Sequence, residues 1–168
     1  DEVMIEKLVH AFYARVRCDE LIGPIFAARI SEWDHHLQRL CQFWSSVVLM
    51  SGRYHGSPMQ KHLALPVEAA HFDRWLQLFR QTAREVCTPK AAAVFVERAE
   101  RIARSIEMGV ASSRGVLLAS GQRLGEAAEE LADAGGVLVA GVTDAIAVAI
   151  AGDGFGDIRT AIEAELGG

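Results

Sequence analysis

Beyond residue 111 this 168-residue sequence contains no tryptophan, tyrosine, histidine, cysteine or proline. That stretch can offer no imidazole to a metal, no indole or phenol donor and no thiol, so chemistry that needs those groups must sit in residues 1–111. It is rich instead in glycine and acid. Eleven of the fifteen glycines lie there, with three basic and nine acidic side chains, against fourteen basic and thirteen acidic in residues 1–111. One well-mixed fold rarely segregates its residues so sharply, and the sequence divides into two domains, 1–111 and 112–168. Cysteine is scarce as well. Cys18, Cys41 and Cys87 are odd in number, widely spaced and form no CxxC pair. They read as reduced thiols of a cytoplasmic protein, serving as small core hydrophobes rather than as a disulfide frame. No excess of positive charge exists. The net charge of −5 gives no reason to expect nucleic acid or an anionic membrane as a partner. The acidic, amphipathic N-terminus is not a signal peptide, and the missing initiator methionine suggests a start inside a longer gene product.

What is present is helical periodicity. Ile5, Leu8, Val9, Phe12, Tyr13 and Val16 recur at three- and four-residue intervals, which predicts an amphipathic helix over residues 2–17. Tyr13 falls on or beside the apolar stripe, so its hydroxyl points inward and needs a partner. Gly23-Pro24 breaks the chain before a short apolar turn, Ile25-Phe26. Ser31 reads as an N-cap with Asp34 three residues on. From there Trp33, His36, Leu37, Leu40, Cys41, Trp44, Val47 and Val48 form a long stripe that Gly52 is expected to end. Ser57-Pro58 reads as an N-cap and first-turn proline, with Leu65-Pro66 closing the segment. A helix after Pro66 carries Phe72, Trp75, Leu76, Phe79, Ala83 and Val86, and another begins at Thr88-Pro89. No alternating strand pattern occurs in residues 1–111, so the fold class is all-α.

The tail predicts less. Residues 126–134 and 157–166 read as short helices, and the tail as a whole as helical or partly disordered. Residues 135–152 form an apolar run near the short limit for a membrane span. Asp144 in its middle costs about 2.5–3.5 kcal/mol on insertion scales, so a helical hairpin or self-associating segment is the favoured reading. The GDGFGD stretch at 152–157 lacks the full ligand set of a cation loop and reads as a turn.

Chemistry concentrates in residues 33–66. His36 lies on a long amphipathic helix, and His62 on a segment bracketed by two Xaa-Pro steps. Two histidines on separate elements among apolar and aromatic residues suit the two faces of a flat cofactor. His62 would hold its metal and His36 would lie on the open side. A neutral imidazole on a short, constrained segment is the commonest protein ligand of haem iron. The segment is too short to bury much by itself, so something else must fix His62 in place.

The motifs FYxRVR (12–17), LIGPIF (21–26), WxxH (33–36), FW (43–44), YHGxPMxKHLxLP (54–66), FxxWLxLF (72–79) and RAxxIA (98–103) together resemble the group III truncated haemoglobins. The resemblance covers residues 3–110; the tail has no counterpart in it. It implies a shortened globin, a two-over-two helical sandwich around haem b. By that similarity His62 is the proximal iron ligand, and Tyr13, His36 and Trp75 are the distal residues. Leu40 is an apolar wall and Phe26 packs on the haem edge. Arg53, Tyr54 and Lys61 are open to the haem propionates or to solvent alike, and His35 faces another side of its helix.

The resemblance implies binding of O₂, NO, CO or peroxide. Such ligands draw negative charge from the metal, and the O–H of Tyr13 and N–H of Trp75 are donors that stabilise it. Two function classes remain open. One is an enzyme that oxidises NO or turns over peroxide, needing an external reductase because the sequence has no flavin or nicotinamide motif. The other is a reversible O₂ carrier or a gas sensor. Because every expected haem contact lies in 1–111, removing 112–168 is expected to leave haem binding intact.

Overall fold

The three- and four-residue spacing near the N-terminus becomes α1 (Glu2–Cys18), and all six of its periodic apolar side chains are buried. Asp1 caps it, accepting from the Met4 N–H at 2.9 Å, where a carboxylate also suits the positive end of the helix dipole. Further along, the computed structural model describes residues 1–125, and all the described regular structure is helical. After α1 come α2 (Gly23–Ala27), α3 (Trp33–Leu49), α4 (Pro58–His62), α5 (Ala69–Val86) and α6 (Pro89–Ser113). The helices expected at 126–134 and 157–166, the apolar run and the GDGFGD stretch lie outside the described residues. Among the described residues no helix is long and apolar enough to cross a membrane.

Local chemistry explains most boundaries. Gly23 lets the end of α1 and the start of α2 approach, since a Cβ there would meet the carbonyl oxygens of Val16 and Arg17 at 3.0 and 3.2 Å. Prolines open α2, α4 and α6, where a missing N–H costs no helical hydrogen bond. Two expectations for α3 need correction. Its N-cap is Glu32, without a side-chain bond, rather than Ser31. Its left-handed C-cap is Met50, at φ 55°, and Gly52 lies in the loop beyond. Serines account for this early stop by holding the outgoing loop. Ser45 Oγ lies 2.6 Å from Ser51 Oγ, and Ser46 Oγ accepts from the Tyr54 N–H at 2.9 Å.

The described residues form two units, 1–55 with 70–103 and 56–69 with 104–125. In the first, α1 packs on α2 and α3, and Phe12, fully buried, is the hub. Its ring meets Tyr13, Trp75 and Phe79 edge-on at 4.8, 5.2 and 5.1 Å. Phe79 is stacked between Trp75 and Trp44, with centroids at 5.2 and 5.0 Å. Asp19 makes one of the polar ties that cross this unit. Asp19 accepts from the N–H groups of Leu21 and Ile22 and from Arg74 Nε at 2.7 Å. In the second unit the composition break at residue 111 falls inside α6, and residues 114–125 hydrogen-bond to α6 and to the 63–69 segment. Of the three cysteines, all free, only Cys87 is buried; Cys41 is half-buried and Cys18 is exposed, against the expectation that each fills core.

Candidate functional site

Tyr13 sits where the α1 stripe meets α2, α3 and α5, and only 5% of it is exposed. The rings of Phe26, Trp33 and His36 lie 5.8, 6.4 and 5.8 Å from its own, with His36 almost perpendicular to it. From α5, the Trp75 indole N–H donates to its phenol oxygen. A phenol that accepts in this way keeps its own O–H proton to give elsewhere. Burial pushes the Tyr13 pKa far above its ordinary value, and the Trp75 bond lowers it only in part, so the group stays a neutral donor at any working pH. Trp75 is aimed by its packing on Phe12 and Phe79.

His36 also packs edge-on against Trp33 at 5.9 Å, and its Nε2 is enclosed. Leu40, one turn further along α3, is half-buried. Thus Tyr13, Phe26, His36 and Trp75 stand together within one unit. Trp33, which the sequence places on the α3 stripe without a site role, walls both Tyr13 and His36, and the Arg17 guanidinium lies 4.8 Å over its face. The signal was available: Arg17 follows Tyr13 by one helical turn on α1. The Cys41 thiol has its pKa pushed up by burial and by Glu6 and Glu2, which leaves it a poor nucleophile.

His62 belongs to the other unit, as the last residue of α4. Its Nδ1 lies 2.6 Å from the Pro58 carbonyl oxygen, which can only accept, so Nδ1 carries the proton. Burial lowers the His62 pKa and the Pro58 bond offsets this in part. The ring is therefore a neutral imidazole with its Nε2 lone pair available, the form a metal ligand needs. One turn of helix is anchored here by Met59, 1% exposed, whose Sδ and Cε occupy the space a Cβ on Gly109 would fill. The glycine is what lets α4 lie so close on α6.

Among the described residues no group of three or more His, Cys, Asp or Glu side chains could hold a metal ion. One prepared imidazole suits a metal that brings its remaining ligands in a macrocycle, and a buried phenol paired with a half-buried indole suits a small polar ligand. The residues present therefore fit haem. His35 is exposed, as expected. Arg53 pairs with Glu2 at 3.1 Å, while Tyr54 packs on Phe43 at 5.3 Å with the Arg39 guanidinium 6.0 Å above its face. Lys61 is exposed.

The bacterial-like globin family matches residues 1–107. A group 3 truncated haemoglobin of Campylobacter jejuni is 38% identical over 104 residues, covering 59% of this chain and 82% of that protein. The crystal structure of a group III truncated haemoglobin from Campylobacter jejuni superposes with a TM-score of 0.60 at 34% identity, covering 63% of this chain and 87% of that one.

Proposed function

Because the chain belongs to the group III truncated haemoglobins, within the bacterial-like globins, we propose that it is a haem b protein that binds O₂, NO, CO or peroxide and uses a polarised ligand for oxidation. Haem, when bound, would supply an iron that can bind such ligands and exchange electrons with them. His62 is the iron ligand, and the Pro58 carbonyl keeps its tautomer and ring direction. Phe26 and Leu40 are apolar walls for the cofactor.

The observation that carries the reading is the pairing of the buried Tyr13 phenol with the half-buried Trp75 indole. Tyr13 would donate a hydrogen bond to a bound ligand, and Trp75 would fix the direction of that O–H. His36, packed on Tyr13 and Trp33, would line the ligand side. A donor-rich, water-poor pocket slows O₂ release and favours charge build-up on the ligand, which suits NO oxidation or peroxide turnover better than storage. Sustained turnover requires electrons from an external reductase. The three free thiols fit a reducing compartment, the cytoplasm.

The test mixes the ferrous, O₂-equilibrated protein with NO. Nitrate formed one-to-one with ferric haem is the expected result. Simple exchange of O₂ for NO, without nitrate, would move the protein to the other class, a reversible carrier or gas sensor.

A further inference from the structure

Of the seven residues that follow His62 to the start of α5 only Val67 is buried, and alternate carbonyls along them are held from one side. Ser113 Oγ donates to the Leu63 carbonyl at 3.3 Å. The Arg114 guanidinium donates through one Nη to the carbonyls of Leu65 and Val67, at 3.0 and 2.8 Å, and through the other to Glu68 at 2.8 Å. Arg123 Nη2 reaches the Ala69 carbonyl at 3.4 Å, and the Ala69 N–H donates to the Leu124 carbonyl at 3.2 Å.

These donors are in turn fixed. Glu107 on α6, with 3% of its side chain exposed, takes Arg123 Nε on both oxygens at 2.9 and 3.2 Å and the Leu124 N–H at 2.8 Å. The Gln122 carbonyl accepts from Arg104 at 2.8 Å. Leu124 is buried. A planar guanidinium with two donating edges can bridge two carbonyls and a carboxylate at once, which an ammonium cannot do in one geometry.

Arg114, Arg123 and Leu124 lie beyond residue 107, where the family match ends. We propose that residues 113–125 are a strap that positions the His62 segment, with Arg114 and Arg123 as positioning residues for the iron ligand. The proposal rests on the reading of His62 as that ligand. The strap sets how far and at what tilt α4 can shift, and so the length and strain of the bond His62 makes. It is a feature of this chain added to the globin pattern, and it answers what holds a helix of one turn in place.

The experiment uses the full chain with Arg114→Gln and Arg123→Gln, and Arg101→Gln, on an exposed part of α6, as control. Hydrogen exchange is followed on residues 63–69 of the haem-free protein, and the iron–histidine stretching band on the ferrous protein. Either strap variant is expected to speed exchange there by about tenfold and to shift or broaden the band, with the control unchanged. Unchanged exchange in both variants overturns the strap. Faster exchange with an unmoved band overturns the positioning role and leaves only a structural one. His62→Gly, with and without added imidazole, separates the parent reading: if it keeps an unaltered iron–histidine band without imidazole, His62 is not the ligand, and the positioning role falls with it. Where an Arg variant unfolds, Ser113→Ala and Arg114→Lys give the same two readouts on a milder change.

Discussion

The unit bearing Tyr13 and the unit bearing His62 are held together by different forces. Around Tyr13, rings do the work: Phe12, Trp44, Trp75 and Phe79 pack edge-on or stacked across α1, α3 and α5, and long amphipathic helices bury them. Around His62 the helix is a single turn, and its outgoing chain is fixed by arginines, a buried glutamate and backbone carbonyls. A long helix can orient a side chain by burial, at roughly 25 cal/mol for each Å² of apolar surface covered. One turn cannot, so directional polar bonds replace area. An apolar core tolerates a conservative change, whereas a polar clamp loses its function with one donor.

The largest expected effect strikes the polar side of that contrast. Arg123→Met leaves the enclosed Glu107 carboxylate with the Leu124 N–H at 2.8 Å and, as its one remaining cation, Arg104 at 3.8 Å. Breaking a buried pair from one side costs about 3–5 kcal/mol. Urea unfolding should register that loss, while Arg80→Met, which removes an exposed pair with Glu100, should cost under about 1 kcal/mol. Equal losses in the two variants would erase the distinction between clamp and surface pair.

A middle-sized effect tests whether the aromatic unit depends on its polar tie. Burial pushes the Asp19 carboxyl up, but bonds from the Ile22 N–H, Arg74 and the Leu21 N–H outweigh it, and its pKa lies below the ordinary 3.8. A depressed carboxyl stabilises the fold above its unfolded pKa, and that stability is lost as pH falls through the folded value. Asp19→Ala should therefore cost about 2 kcal/mol at pH 7. The gap to wild type should close below about pH 4. A gap that persists undiminished at pH 2.5 would mean the loss is one of packing.

The smallest expected change in free energy is the one closest to function. Tyr13→Phe should speed O₂ dissociation by about tenfold, since a bond to a charged acceptor is worth somewhat over 1 kcal/mol. Trp75→Phe should have a smaller effect, because its N–H is directed at Tyr13 and acts through it. CO, being less polarised, should respond little to either. The double variant should fall short of the product of the two, as expected for residues that share a bond. Equal acceleration of O₂ and CO would shift control to access past His36.

The helices were legible because their apolar residues recur at helical spacing over four or more turns, as on α1. Motif resemblance added what periodicity cannot, namely the expectation of site roles for Tyr13, His36, Trp75 and His62. Cap identity was less legible: Ser31 and Gly52 have the right chemistry, but hydroxyls of Ser45 and Ser46 moved the end of α3 to Met50. Within the compositionally distinct stretch, Arg114 and Arg123 hydrogen-bond to the chain that follows His62. Composition marks that tail as different, and difference of composition says nothing about contact.

By itself the sequence determined the all-α class, the buried stripe of α1, the proline-started helices and the kind of cofactor that its histidines and aromatics would suit. These depend on local spacing and residue chemistry, which a linear chain carries in full. Only the tertiary structure decided that Trp75 donates to Tyr13, that Phe12 is the hub, that Gly109 makes room for Met59, and that Glu107 holds Arg123 and Leu124 against the His62 segment. Those pairings join residues far apart in sequence, and a hydrogen bond is fixed to within tenths of an ångström by packing on every side of it, which no local pattern encodes.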